Sequence, residues 1–148
     1  MNEMINYGSY CPRFRIAVDF DSTLTEYEGY PGLDAPLRKN AKEVLNRLAE
    51  HACILIWTCR DGEMGKEACK WLREQGVIFM HFNENCSIAE CKYGYARKIG
   101  ADIYIDDKGL FSPKDLDWLE IENLCMARIQ KFYHPETTIQ TTLQAVFA

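Results

Sequence analysis

Nothing in the 148 residues approaches the roughly 20-residue apolar run that a membrane span requires. The N-terminus, Met1-Asn-Glu-Met-Ile-Asn6, has no basic stretch leading into an apolar one, so no secretory signal is visible. Basic residues are in deficit: 17 Lys and Arg against 22 Asp and Glu leave a net charge of −5. That argues against a broad basic surface for duplex nucleic acid and leaves room only for a local groove. CxxC pairs are missing. Seven cysteines are scattered (Cys11, Cys53, Cys59, Cys69, Cys86, Cys91, Cys125), several in apolar segments. Reduced, partly buried thiols in a cytoplasmic protein are expected, not a disulfide framework or a zinc site. His51, His81 and His134 have no metal-ligand spacing. Internal repeats, low-complexity tracts and long linkers are absent, so residues 1–148 read as one domain, with residues 112–148 as its C-terminal helical segment. What is there is 47% hydrophobic, enough for a core without staples.

The apolar residues arrive in alternating patterns. Arg15-Ile-Ala-Val-Asp-Phe20 is a short β-branched run, expected as a buried strand. A Gly- and Pro-rich loop follows over 26–36, then Leu37, Ala41, Val44, Leu45 and Leu48 recur at helical spacing, with Asp34 as the expected N-cap. Ala52–Trp57 is a second strand. Met64, Ala68, Trp71 and Leu72 mark a helix that Gly76 is placed to end. Val77–Phe82 is a third strand, Ser87–Glu90 a capping box for a short helix, and Ala101–Asp106 a fourth strand. Ser112–Asp115 opens a further helical pattern that His134-Pro135 breaks, and Ile139, Leu143, Val146 and Phe147 suggest a terminal helix. Trp57, Trp71 and Trp118 read as core. Four strand–helix repeats with continuously apolar strands predict an α/β fold: a doubly wound, Rossmann-like parallel sheet in three α/β/α layers. Right-handed crossovers bring all strand C-termini to one edge, where such folds bind ligands.

The residues at that edge carry chemistry. The first strand ends in Asp19-Phe-Asp-Ser-Thr23, the second in Thr58, the fourth in Asp106-Asp107, and Lys98 precedes the fourth. Four carboxylates do not stay ionised together without a counter-charge. Carboxylate and carbonyl oxygens are the ligands Mg²⁺ prefers, with water and phosphate completing its octahedron. A cation, an ammonium and a hydroxyl around one point form a phosphate site. One Asp there is a candidate nucleophile, and the Asp two residues on a candidate acid and base.

This set resembles the haloacid dehalogenase superfamily. Ile16-Ala-Val-Asp-Phe-Asp-Ser-Thr-Leu-Thr25 is similar to its first motif, Ile54-Leu-Ile-Trp-Thr58 to its second, Lys98 to the lysine of its third, and Ile103-Tyr-Ile-Asp-Asp107 to its fourth. Residues 97–109 also resemble small bacterial and phage members of that superfamily. The resemblance implies Asp19 as nucleophile and Mg²⁺ ligand, with Asp21 as acid/base contributing its backbone carbonyl to the metal. It implies Thr58 on a phosphoryl oxygen and Lys98 on the nucleophile and phosphate. Asp106 would be a metal ligand, and Asp107 would lie behind it or act through water. Thr23 keeps its motif residue and is assigned to the substrate side of the site. Arg60 is expected at the mouth, touching substrate or serving as a surface salt-bridge partner. Asp21 favours phosphoryl transfer over dehalogenation. Ser22 stands where Gly is usual; Ser fits unless φ there must be positive. The intervals after the first and second motifs are too short for a cap domain, so an open site is expected.

The activity implied is a Mg²⁺-dependent phosphatase working through an aspartyl-phosphate. Its substrate would be a nucleotide, a polynucleotide end, a phosphoprotein or a sugar phosphate; no membrane partner is expected, and a homo-oligomer is an option. A receiver-type phospho-acceptor domain gathers the same residue types but places its acidic pair first and its acceptor Asp later. A catalytically silent relative would be expected to have lost motif side chains, and none is lost here.

Overall fold

The protein's computed structural model describes residues 14–26, 30–86, 94 and 96–136. The elements run β1 (Arg15–Val18), α1 (Ala41–Leu48), β2 (Cys53–Ile56), α2 (Gly62–Glu74), β3 (His81–Phe82), β4 (Ile103–Ile105), a 3₁₀ turn (Lys114–Leu116) and α3 (Trp118–Tyr133). All four strands are parallel, in the order β3-β2-β1-β4. β1 is central, with β2 on one side and β4 on the other. Its residues Ile16, Ala17 and Val18 are buried on both faces, as their unbroken apolar run requires. The α/β parallel sheet expected from the sequence is therefore the observed fold.

Alternation along the strands divides the core. Ile16, Val18, Ile54, Ile56 and Ile105 face one side, where Val44 and Leu45 of α1, Ala68 and Leu72 of α2, and Trp118, Ile121, Cys125 and Ile129 of α3 pack on them. Each large side chain buried there contributes roughly 1.5–3 kcal/mol. Ala17, Cys53 and Leu55 face the other side, with Cys86 and Ile99. The short helix expected from Ser87–Glu90 and the terminal helix expected over 139–147 lie outside the described residues.

The first, second and fourth strands are trimmed at their ends to Arg15–Val18, Cys53–Ile56 and Ile103–Ile105, and three other boundaries differ more from the sequence reading. α1 begins at Ala41 behind Asn40, not at Asp34. Leu37 instead forms an antiparallel bridge with Thr25, and the Arg38 amide donates to the Leu24 carbonyl at 2.7 Å, so this stretch is held extended beside the turn after β1. The third strand shrinks to His81–Phe82: Ile78 N donates to the Asn46 side chain and Val77 N to the Leu72 carbonyl, and the ladder to β2 begins only where Met80 N donates to the Ile54 carbonyl at 2.9 Å. The helix expected from Ser112 starts at Trp118, capped by the Asp117 carboxylate on the amides of Leu119 and Glu120. Gly76, at φ 79°, ends α2 as its left-handed position requires. Among the described residues no second domain interrupts the sheet, and no helix is long and apolar enough to cross a membrane.

Candidate active site

Strand register builds the site. Val18 of β1 pairs with Ile105 of β4, so Asp19 and Asp106 are each the next residue past a paired end on adjacent strands. The Asp19 amide continues the ladder by donating to the Ile105 carbonyl at 2.9 Å. One carboxylate oxygen from each of Asp19, Asp106 and Asp107 lies within 4.8 Å of the others. Thr23 bridges them from the turn after β1. Its buried hydroxyl is 2.9 Å from Asp19 Oδ2 and 3.0 Å from Asp107 Oδ1, and it accepts the Asp107 amide at 3.0 Å. One hydroxyl proton serves one carboxylate at a time, so the second oxygen is left for another cation or donor. The Thr23 carbonyl accepts the Trp118 indole N–H at 3.2 Å, which anchors this turn to α3.

Burial pushes the Asp19 carboxyl up from its ordinary 3.8 to about 7. The Thr23 hydroxyl bond opposes this, the Asp106 charge adds to it, the Phe20 amide opposes it, and the Asp107 charge adds again. A half-buried carboxylate facing two others is a place short of positive charge.

The chain's relatives bear on this arrangement. No protein-family model matches the chain, and no curated protein matches it. The solved structure of the conserved protein coded by a locus from Bacteroides thetaiotaomicron matches with 33% identity and a TM-score of 0.65, over 77% of this chain and 90% of that one. The chain belongs to the family of this Bacteroides protein. The match spans most of both chains, so the family shares the sheet as a whole and not one motif alone.

In this family member the acidic group has the donor chemistry of a hard-cation site. Octahedral Mg²⁺ holds oxygens at about 2.1 Å, which sets neighbouring ligands about 3 Å apart. The three oxygens lie within 4.8 Å of one another, a separation that modest side-chain rotation would have to close for them to share one such ion. The Asp21 carboxylate is not one of this group. Both its oxygens face Arg60, with Nη2 to Oδ1 at 2.7 Å and Nε to Oδ2 at 2.9 Å.

The other expected residues are placed as follows. Thr58 lies two residues past Ile56, on the strand flanking β1; its amide donates to Asn83 Oδ1 at 2.8 Å and its hydroxyl oxygen accepts the Arg60 amide at 3.2 Å. Among the described residues no acceptor takes the Thr58 hydroxyl proton. Arg60 is not at the surface: it is 1% exposed, and its guanidinium serves Asp21 and the carbonyls of Pro31 and Gly32. Lys98 is exposed, with its ammonium 5.1 Å from the Tyr104 ring centroid. Among the described residues no hydrogen bond or ion pair joins it to the aspartates. Ser22 has φ 63°, so the position where Gly was expected is a left-handed one.

Two supporting residues escaped the sequence reading. Asn83, just past β3, donates its amide to Ile56 O, accepts Thr58 N and donates Nδ2 to Arg60 O at 2.8 Å, locking the Thr58 loop to the third strand. Asn tolerates its φ of 52°, and an Asn closing an apolar run was the available signal. Trp118 was read as core only; its single polar atom also fixes the Thr23 turn.

Proposed function

We propose that the protein is a magnesium-dependent phosphomonoester hydrolase of haloacid dehalogenase type, working through an aspartyl-phosphate on Asp19. The observation that carries this reading is the meeting of Asp19, Asp106 and Asp107 within 4.8 Å at the C-terminal edge of a parallel sheet. Asp21 stands two residues after the proposed nucleophile. The three carboxylates would hold Mg²⁺ together with the Asp21 backbone carbonyl. When bound, the ion supplies charge neutralisation for a phosphoryl group approaching an otherwise anionic site.

The remaining chemistry belongs to the chain. An Asp19 oxygen attacks phosphorus, the bond from phosphorus to the ester oxygen breaks, and that oxygen takes a proton from Asp21. Water then attacks the aspartyl-phosphate, giving its proton to Asp21, and the phosphorus–Asp19 bond breaks to release inorganic phosphate. The Thr58 hydroxyl donates to a phosphoryl oxygen. Thr23 holds Asp19 and Asp107 in place from behind. Lys98 is the cation that leaves the Tyr104 ring to meet the substrate's phosphate. With no cap domain among the described residues, the site would stay open to a phosphorylated macromolecule or a small phosphomonoester.

The test is phosphate release from p-nitrophenyl phosphate and a panel of nucleotide, polynucleotide, phosphopeptide and sugar phosphates. Turnover with Mg²⁺, its loss in EDTA, and silence of Asp19→Asn with an unchanged circular dichroism spectrum are expected. Full activity of Asp19→Asn would remove the nucleophile assignment. Stable phosphorylation without turnover would favour a receiver-type acceptor instead.

A further inference from the structure

We infer that Arg60 is the positioning residue for Asp21, fixing the plane of the acid/base carboxylate; the inference rests on the phosphatase reading. An arginine beside a phosphate site is ordinarily assigned to the substrate, but this one has little left to offer. It is 1% exposed, and four of its five N–H groups are engaged: two on Asp21, one on Pro31 O at 3.0 Å and one on Gly32 O at 2.8 Å. Its guanidinium carbon lies 5.0 Å from the centroid of the Phe20 ring and 5.4 Å from that of Tyr30. The head group is therefore held by contacts from the turn after β1 and from the 30–32 loop.

The main chain of Arg60 is held as firmly, with its amide on Thr58 Oγ1 and its carbonyl on Asn83 Nδ2. One residue thus ties the proposed phosphate-holding Thr58, the acid/base Asp21 and the 30–32 loop into one unit. The bidentate fork uses one lone pair on each Asp21 oxygen and leaves the others facing away from Arg60. The Asp21 side chain is 22% exposed while that of Arg60 is 1% exposed, so the free side of the carboxylate is the side that meets solvent or substrate. A lysine has no such fork: its single ammonium cannot set the carboxylate plane and reach both loop carbonyls.

Positioning an acid differs measurably from holding a fold or a substrate. p-Nitrophenolate leaves without help from a proton, whereas an alkyl alkoxide needs one. Arg60→Lys and Arg60→Gln are compared with wild type on p-nitrophenyl phosphate and on an alkyl phosphate, alone and combined with Asp21→Asn. Folding is followed by circular dichroism, and Mg²⁺ binding by the shift in melting temperature. The expected result is a fall in kcat of about tenfold or more on the alkyl phosphate. The loss on the aryl phosphate is smaller, KM is little changed, and the double variant is no worse than Asp21→Asn alone.

Equal losses on both substrates with additive effects would overturn the inference, as would a raised KM at unchanged kcat, the mark of a substrate contact. Loss of the fold in both Arg60 variants would also overturn it, making Arg60 structural. A wild type silent on both phosphates removes the phosphatase reading and this inference with it. Active wild type with an additive cycle removes only the inference.

Discussion

Ser22 pays a backbone cost that a glycine would not. At φ 63° its Cβ is crowded, and the position persists because its neighbours hold it: Ser22 N donates to Thr25 Oγ1 at 3.1 Å and Ser22 O accepts Arg38 Nε at 2.9 Å. Both bonds use main-chain atoms, so Ser22→Gly keeps them. That variant is expected to be more stable by about 1 kcal/mol, read as a higher urea midpoint at unchanged m-value. Asp19 carries a cost of a different kind. Its carboxyl is at about 7 in the folded metal-free chain against 3.8 ordinarily. The folded state therefore holds the proton more tightly than the unfolded one, and stability falls as pH rises from about 4 to about 7. Metal-free Asp19→Asn should thus melt higher than wild type at pH 8, by on the order of 1–3 kcal/mol, with the difference gone below pH 4. A variant less stable than wild type at pH 8 would contradict that account. The acidic residues of the site were legible in the sequence because each stands at the tip of an apolar run, where a carboxylate has little structural reason to be. The buried pairing of Arg60 with Asp21 and the bracing role of Asn83 were not, because the partners lie 39 and 25 positions apart respectively and no local pattern encodes such pairings.

At the scale of elements, α3 reaches the site through its first residue. Trp118 buries its ring in the main core and spends its indole N–H on the Thr23 carbonyl. Trp118→Phe keeps most of the apolar volume and removes that bond. A loss of about 1 kcal/mol is expected, with weaker Mg²⁺ stabilisation because the Thr23 turn loosens; thermal melts with and without Mg²⁺ check both. The start of α1 shows why element boundaries were the least legible part. Leu37 fits the helical spacing of Ala41, Val44 and Leu48, yet its neighbours pair across to the 24–26 strand-like turn, a contact periodicity cannot reveal. The same α3 shields Cys125, whose thiol burial pushes up to about 12. At pH 8 it should resist iodoacetamide in the folded protein, while exposed Cys59 is modified well before it; peptide mass spectrometry distinguishes them.

For the molecule as a whole, the alternation of apolar runs and amphipathic segments was enough to foresee the parallel sheet, since continuous strands demand cover on both faces. Strand order follows from no such pattern, and it is the order that makes the site. A ligand that binds only the native state raises stability in proportion to the logarithm of its concentration. Millimolar Mg²⁺ should accordingly raise the melting temperature of the wild type, and the rise should disappear in Asp106→Asn. An equal rise in that variant would move the ion elsewhere.

Because β1, like β2, is hydrogen-bonded on both flanks, the proposed nucleophile extends from a strand with few ways to fray. Amide exchange should be slowest along Ile16–Val18 and should quicken toward the 107–112 turn. Evolution of new specificity in such a scaffold has its freedom at the rim, in the loops that approach the anchored carboxylate, while the anchor itself stays put.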